Sequence, residues 1–545
     1  MSLLTRTLSG RRRDIALGTL LASTWQAGEA AVPFLIGVII DRAVSGGLGD
    51  LALWLGALGA VYVCLSYSFR YADRIGERIS EQTAHELRMR IVQRVLHERG
   101  GAETDRLPGA LVSVATSDAR RVGTVAMAVV FGISAVGAVL IAAVLLLSVS
   151  LPLGLLVLLG TPPLILLTRL IGKPLEARSE TEQEHAAHAS GVAADLVAGL
   201  RVVKGLRAES AAVTRYRDRS RAALAATVHA SRTEAAYQGM VVLLSGVFLA
   251  IIAVVGGILA VRGELTVGQL ISSVGLAQFL VGPMWTFGWA GTSIAQGRAS
   301  ARRVAAVLDA PAAVRGGSAD PVVPVRGALA VRRSGLKFEV APGEFVGIVT
   351  SDPALAASLV RLFGRACDPE DGTITLDGRP LTDLSPTSLR SVVLATDHHT
   401  DLFDGTLRGA ISLSGRAPAE AVEAAMVAAD ADEVERTLPS ADLEVRTLSG
   451  GQKQRVALAR ALAADPPVLV VHDPTTAMDA VTEARIAGRL RGIRAGRTTV
   501  LVTTSPALLA VTDRVIVLAA SGACHSGTHR ELLASEPTYR ETVLA

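Results

Sequence analysis

Six long apolar segments in the first 290 residues limit what this chain can fold into. A helix needs about 20 predominantly apolar residues to cross the hydrocarbon core of a bilayer. Half of all residues are hydrophobic, and the mean hydropathy is +0.42, so the composition excludes an ordinary soluble enzyme. We therefore predict an all-α membrane domain over residues 1–305, in contact with the lipid bilayer. Its six transmembrane helices are predicted at approximately 16–41, 51–72, 125–147, 152–172, 238–261 and 267–290.

The distribution of arginine predicts the orientation of these helices. Arginines 11–13 precede the first segment, and arginines are frequent in the two long connections, 73–124 and 173–237. In the short connections, residues 46–50 and 149–152 contain no basic residue, and residues 261–266 contain only Arg262. By the positive-inside rule, both termini and both long connections are cytoplasmic. An Ala- and Arg-rich composition with four lysines is typical of bacteria with GC-rich genomes, which predicts the inner (plasma) membrane. The net charge of only +4 gives no indication of a nucleic-acid partner.

The C-terminal part of the chain has a different pattern. The two long connections are polar and have few helix breakers, so we expect them to be helical extensions of the membrane helices. Residues 306–324 are rich in Ala, Gly, Pro and Val, which predicts a linker. Short β-branched runs alternate with helical patterns over residues 325–545, which indicates a second domain of α/β type.

One motif in this second domain is specific. Leu448, Ser449, Gly450, Gly451 and Gln452 precede a helical run. A helix that begins at Ser-Gly-Gly offers backbone N–H groups and a positive dipole end to a phosphate. This motif resembles the signature of ATP-binding cassette (ABC) proteins. Together with six membrane segments and long extensions, it makes nearly the whole chain similar to an ABC exporter half-transporter. The resemblance implies an α/β P-loop NTPase-like ABC domain over residues 325–545.

The resemblance also implies a phosphate-binding loop after residues 343–349, with glycines, a lysine and then a hydroxyl residue. Here the loop departs from that pattern. Ala356 stands in place of the lysine, and Ala357 in place of the Mg²⁺-binding hydroxyl. Pro353 removes a backbone N–H, and Asp352 adds negative charge facing an anion. The only lysines of the chain, at 173, 204, 337 and 453, lie outside the loop.

Other positions that contact ATP in the family are also changed. His472 stands where the resemblance implies an aspartate that helps to hold Mg²⁺, and Asp473 where it implies the catalytic glutamate. His398 lies near the Q-loop glutamine position, and Thr504 at the switch-histidine position. A metal site formed by His398, His399 and His472 is the alternative interpretation. Their wide separation in the sequence favours simple loss of the motifs, so we expect no metal site and no catalytic residue in this chain.

The signature and the D-loop aspartate, Asp479, are retained. In the family, two ABC domains pair head to tail, and each ATP lies between the P-loop of one and the signature of the other. We therefore predict a heterodimer with a homologous half-transporter that has intact Walker motifs. The partner holds ATP with Mg²⁺ and hydrolyses it, while residues 448–452 and Asp479 contact that ATP. The complex is an ATP-hydrolysing translocase, and this chain alone is not catalytically competent.

Glu29 lies near the middle of the first predicted span. A carboxylate at this depth costs several kcal/mol unless it is paired or hydrated. One interpretation is a cavity residue that contacts a cationic group of the substrate. The other is a polar link within the membrane domain, for instance to Gln26 or a backbone carbonyl.

Two other functions stay open at this stage. One is a membrane sensor or scaffold that transports nothing and has kept an inactive cassette, although such a protein has no need of an intact signature. The other is a homodimeric exporter with atypical ATPase chemistry, which the joint loss of the catalytic elements disfavours. Amphipathic small molecules, lipids and secreted modified peptides all remain candidate substrates.

Overall fold

The computed structural model describes all residues except 1–2, 46–47, 105, 334, 399–400, 404, 413–414, 438–447, 519–523 and 545. The chain divides into two compact units. The membrane unit comprises residues 1–91 and 109–306, and the cassette unit comprises residues 92–108 and 307–545. Each unit is described by itself.

Long helices form the membrane unit, as the apolar segments and their polar extensions require. A π-helical turn, Val114–Asp118, separates two of them, and a break at Leu280 separates two others. The helices are α1 (Leu3–Ser9), α2 (Arg12–Ser45), α3 (Leu48–Val95), α4 (Pro108–Ser113), α5 (Ala119–Val149), α6 (Leu151–Ala198), α7 (Leu200–Gly205), α8 (Glu209–Val261), α9 (Val267–Phe279) and α10 (Val281–Leu308).

Five helical segments within the described residues are long and apolar enough to cross a membrane, and the predicted fourth span, 152–172, begins in a shorter one. That shorter apolar stretch, Leu151–Leu164, opens α6, which continues through Pro162 and Pro163. Neighbouring groups in a membrane protein can satisfy the carbonyls that a proline frees. The five longer segments are Arg12–Ala43, Gly49–Val95, Pro108–Val149, Glu209–Val261 and Val267–Leu308.

Small residues allow close contact between helices in this unit. A Cβ atom at Gly37 would overlap the carbonyl of Gly268, so α2 and α9 touch through their backbones. Asp41 of α2 strengthens this contact, because its carboxylate accepts hydrogen bonds from Gly268 N (2.9 Å) and Thr266 Oγ1 (2.5 Å). Such small-residue contacts replace the hydrophobic driving force, which is absent between helices in lipid.

Two sheets form the centre of the cassette unit. The six-stranded sheet has the order β10-β9-β3-β8-β7-β6 and is parallel except for β10. The four-stranded sheet, β2-β1-β4-β5, is antiparallel. The strands are β1 (Leu329–Arg333), β2 (Leu336–Val340), β3 (Phe345–Thr350), β4 (Thr373–Leu376), β5 (Arg379–Pro380), β6 (Val393–Thr396), β7 (Val468–His472), β8 (Thr498–Val502), β9 (Arg514–Leu518) and β10 (Cys524–Gly527).

Helices cover both faces of the parallel sheet, which explains why β3, β7 and β8 are almost entirely buried. An all-α membrane unit with a separate α/β unit is the fold class that the sequence predicts, and the prediction is confirmed. The helices are α11 (Pro353–Phe363), α12 (Pro386–Val392), α13 (Leu407–Ile411), α14 (Ala419–Ala428), α15 (Ala431–Thr437), α16 (Gly450–Ala463), α17 (Ala480–Ile493), α18 (Pro506–Leu509), α19 (His529–Ser535) and α20 (Pro537–Leu544).

A buried carboxylate joins two helices of the membrane unit. Asp118, at the end of the π-helical turn, is only 3% exposed. Its oxygens accept hydrogen bonds from Arg303 Nε (2.8 Å), Arg303 Nη2 (2.5 Å) and Ser300 Oγ (2.8 Å), both on α10. The two-pronged contact with a guanidinium is the strongest form of such a pair.

We expect Asp118→Ala to lower the free energy of unfolding by about 1–3 kcal/mol, because Ser300 and Arg303 lose the acceptor they share. The measurement is the thermal midpoint of the purified chain in detergent. Glu209→Ala is the control, since its pair with Lys204 is exposed and its loss leaves the midpoint unchanged. Equal midpoints for the two variants would contradict this role of Asp118.

Candidate functional site

Four parallel strands end at the same edge of the six-stranded sheet. Ile348 of β3 and His472 of β7 both pair with Val502 of β8, and Thr396 of β6 pairs with Val471. Ligands of open α/β sheets bind beyond the carboxyl ends of the strands. The sheet therefore places His398, His472, Asp473 and Thr504 at one edge, beside the loop that follows β3.

The loop that follows β3 contains a negatively charged side chain. Asp352 is the N-cap of α11, and its carboxylate accepts a hydrogen bond from Ala354 N at 2.9 Å. Pro353 is the first helical residue and offers no N–H group. The carboxylate thus lies at the positive end of the helix dipole, where a phosphate would otherwise be attracted. Ala356 is buried against the core, and Ala357 is half-buried.

The histidines at the neighbouring strand ends lie close together. The rings of His398 and His472 are 5.9 Å apart, although 74 positions separate them in the sequence, so their separation along the chain is no argument against a shared site. His472 Nε2 lies 3.7 Å from a carboxylate oxygen of Asp473. Among the described residues, no three His, Cys, Asp or Glu side chains are arranged to hold a metal ion, and His399 lies outside that part of the chain.

The space at this edge is small. His398, His472, Asp473 and Gln454 line a cavity of about 20 Å³, which has room for about one water molecule. Thr504 is exposed in the loop after β8. With Asp352 on the helix end and no lysine in the loop, these residues do not fit Mg²⁺-ATP.

The signature helix α16 has an N-terminus that is capped by uncharged side chains. Ser449 and Gln452 form a capping box, with Ser449 N donating to Gln452 Oε1 (2.8 Å) and Gln452 N donating to Ser449 Oγ (3.4 Å). Leu448 is buried and anchors the start of the helix, whereas Ser449 and Gly450 are exposed. The exposed Ser449 hydroxyl and the free N–H groups of the first turn fit a phosphate brought by another molecule.

The D-loop residue Asp479 caps the next helix, α17. Its carboxylate accepts hydrogen bonds from Thr482 N (2.9 Å), Thr482 Oγ1 (2.8 Å) and Val481 N (3.1 Å). The hydrogen bonds from the Thr482 backbone and hydroxyl hold the pKa of Asp479 below its usual range. The exposed residue therefore stays ionised and the start of α17 stays fixed.

Several hydrogen bonds attach residues 92–108 to other parts of the cassette unit. The sequence alone did not indicate these contacts. Arg390 of α12 donates to the carbonyl of Glu98 (2.6 Å), and Thr387 donates to the Glu98 carboxylate. Arg94 donates to the carbonyl of Ala310 at 2.7 Å. Burial lowers the pKa of Arg390 from its ordinary value. Sequence reasoning missed these residues because each partner lies more than 200 positions away.

In the membrane unit, Glu29 is half-buried on α2. Gln26, one turn earlier, is only 1% exposed, and its Oε1 has no hydrogen-bond partner in the described part of the chain. Both expected roles of Glu29 stay predictions.

A separate groove of about 360 Å³ lies between α5, α6 and α10. Among the lining residues that the structure describes, the one hydroxyl is that of Thr161, and it is already bonded to the Val157 carbonyl (2.7 Å), so these residues offer no free donor. The lining residues are Val136, Val139, Leu140, Leu158, Thr161, Pro162, Leu166 and Phe287.

Comparison with known families agrees with this architecture. A family model described as the ABC transporter transmembrane region matches residues 15–284, and the ABC transporter model matches residues 334–476. The chain belongs to the ABC transporter family. It contains one transmembrane region followed by one ABC domain. Domains of this family bind ATP, typically with Mg²⁺.

Two curated relatives and one solved structure extend over nearly all of this ABC transporter chain. A multidrug efflux ATP-binding/permease protein of Mycobacterium bovis is 31% identical over 97% of the chain, which spans only 46% of that relative. An ATP-dependent lipid A-core flippase of Burkholderia thailandensis is 25% identical, over 95% of the chain and 91% of the relative. A bacterial Atm1-family ABC exporter solved with ATP bound has a TM-score of 0.77 and 25% identity, covering 98% of both chains.

The two signature glycines have different surroundings, which gives a prediction. A Cβ atom at Gly451 would lie 2.5 Å from the carbonyl oxygen of Ala477, whereas at Gly450 the nearest atom is 3.8 Å away. We expect Gly451→Ala to destabilise the chain by about 1–3 kcal/mol through overpacking. Gly450→Ala is the matched control and is neutral or slightly stabilising, because alanine favours helix. Thermal unfolding of both variants in detergent measures the difference, and the opposite order of stability would contradict the packing at Ala477.

Proposed function

We propose that this chain is the catalytically degenerate subunit of a heterodimeric, ATP-driven ABC exporter. The observation that carries the proposal is the contrast between two helix N-termini in the cassette. The N-terminus of α11 is capped by the chain's own carboxylate, Asp352, whereas that of α16 is capped by uncharged side chains and exposes Ser449 and Gly450. The chain is thus equipped to contact ATP bound by another subunit, and not to hold its own.

Several features support the loss of this chain's own site. A phosphate approaching α11 would meet the negative charge of Asp352, without a lysine to offset it. Hydrolysis also needs an Mg²⁺ ligand, a general base and a group that stabilises the γ-phosphate. His472, Asp473 and Thr504 do not supply this set.

We infer a partner with intact Walker motifs, because head-to-tail pairing of two ABC domains forms two ATP sites. A homodimer would contain two copies of the degenerate site, while a heterodimer contains one intact site closed by Ser449, Gly450 and Gly451 of this chain. Asp479 lies beside that site as the D-loop residue. The Mycobacterium bovis relative is more than twice as long as the aligned segment, which leaves room for a second half within one polypeptide. ATP and Mg²⁺ are then held mainly by the partner.

The substrate class follows from the membrane unit. The described lining of the groove between α5, α6 and α10 is apolar and has no free hydrogen-bond donor, so it suits hydrocarbon or aromatic groups better than the polar backbone of a peptide. We therefore propose an amphipathic or lipid-like substrate in place of the secreted peptide. The names of the two relatives, an efflux protein and a lipid flippase, support this choice. The proposed location is the bacterial inner membrane with cytoplasmic termini. For Glu29, contact with a cationic group of the substrate and a polar link within the membrane domain both stay predictions.

The first experiment compares ATPase activity of the purified chain, a co-expressed homologue with intact Walker motifs, and the two together. We expect no ATP turnover from this chain alone. The pair is expected to hydrolyse ATP, and Asp473→Asn in this chain is expected to leave the rate of the pair unchanged. Turnover by this chain alone that is lost in Asp473→Asn would overturn the proposal in favour of an atypical homodimer. Normal turnover by the homologue without this chain, and no co-purification, would favour the sensor or scaffold.

A second prediction concerns the signature. We expect Gly450→Glu to reduce ATPase activity of the pair by at least 100-fold, because its carboxylate would lie against the partner's ATP phosphates in a site closed to water. Gly450→Ala is the matched control, since the position has room for a Cβ atom, and it is expected to keep most of the activity. Full activity of a folded, co-purified complex with Gly450→Glu would show that this signature does not contact the ATP.

A further inference from the structure

Gln454 connects the signature helix to the segment that precedes the D-loop. It lies in the second turn of α16, and its amide makes two hydrogen bonds. Gln454 Nε2 donates to Thr476 Oγ1 at 2.8 Å, and Gln454 Oε1 accepts from the backbone N–H of Ala477 at 2.9 Å. One side chain therefore holds both a side chain and the main chain of the segment Thr475–Met478.

Close packing supports the same connection. The absence of a side chain at Gly451 lets the carbonyl of Ala477 approach the first turn of α16. Met478 N donates to Thr475 O at 3.0 Å, which makes this segment a tight turn. Asp479 follows directly and caps α17, so the turn joins the start of α16 to the start of α17.

A cluster of charges joins the same two helices at a second place. Asp430 is 2% exposed, and its carboxylate lies 3.1–3.2 Å from Arg489 and Arg485 of α17. Arg455, next to Gln454 on α16, lies 3.5 Å from Asp430 and 3.0 Å from Glu433. Two separate attachments therefore hold α16 and α17 in one arrangement.

We propose that Gln454 is a positioning residue that makes the signature and the D-loop act as one unit on the partner's ATP. The inference rests on the proposed function, because it assigns a role within the same composite site. Residues 449–451 and Asp479 then reach the ATP in a fixed relation. Gln454 also lines the small cavity beside His398 and His472, so the connection lies at the border of this chain's own degenerate site.

The kinetic consequence follows from population shift. Without the Gln454 amide, only a fraction of the molecules hold the signature and the D-loop in the arrangement that binds ATP. The apparent affinity of the complex for ATP is then reduced by that fraction. More ATP can restore the closed complex, so the KM for ATP rises while kcat changes little. A merely structural role would instead lower the amount of active complex and leave KM unchanged.

The test uses the reconstituted complex with its intact partner. Gln454→Leu keeps the size of the side chain and removes both hydrogen bonds, and we expect the KM for ATP to rise about tenfold with kcat within about threefold of the original. Thr476→Val removes one bond and has a smaller effect. The double variant is no worse than Gln454→Leu alone, since the two residues share one contact. Thr542→Val is the matched control, because its hydroxyl bonds only its own helix at Thr538, and its KM is unchanged.

Each outcome can be assigned to one of the two proposals. Gly450→Glu is measured in the same preparation, and if it leaves turnover intact, the proposed function itself fails. If Gly450→Glu abolishes turnover while Gln454→Leu leaves KM unchanged, only the positioning role is wrong. Additive effects of Gln454→Leu and Thr476→Val on KM would overturn it as well. Should Gln454→Leu fail to fold, Thr476→Val against Thr542→Val decides, and equal KM values overturn the role.

Discussion

The proposed function depends on one carboxylate in the cassette unit. Asp352 accepts a hydrogen bond from Ala354 N, so a negative charge already lies at the start of α11, where a phosphate would otherwise be attracted. The start of α16, in contrast, is capped by the uncharged side chains of Ser449 and Gln452, and Ser449 and Gly450 lie at the surface. One helix N-terminus therefore has a charged cap and the other a neutral cap, and the proposed role toward ATP rests on this difference.

The membrane unit meets a separate constraint. Packing apolar side chains together gives helices in lipid no hydrophobic stabilisation. Close backbone packing and a few polar contacts must therefore hold the helices together. Gly37 against Gly268 provides the first, and Asp41, which accepts hydrogen bonds from Gly268 N and Thr266 Oγ1, provides the second. Large apolar side chains then remain exposed on the outer faces and in the groove of α5, α6 and α10, where hydrocarbon is the natural neighbour.

The sequence predicts those features that depend on local pattern. Hydropathy gives the apolar helices, strand-sized β-branched runs give the α/β unit, and the signature and the charge of Asp352 are read directly from neighbouring residues. Features that depend on chain topology are not predicted. His398 and His472 become neighbours only because β6 and β7 pair in parallel, and Glu98 meets Arg390 only after the chain between them has folded. The sequence likewise does not show that Gln26 Oε1 has no hydrogen-bond partner among the described residues.

The retention of the fold alongside the loss of ATP-binding groups has a structural reason. Leu448, Val456 and Leu462 of the signature region share one apolar core with Leu469 and Val471 of β7, the strand that ends at His472. The position of Ser449 and Gly450 therefore depends on the sheet whose edge carries His472 and Asp473. Loss of core residues of that sheet would displace the signature, whereas Ala356 belongs to a different apolar core and Thr504 lies in an exposed loop. Selection for the partner's site alone would thus preserve the strands and leave their connecting loops free to change.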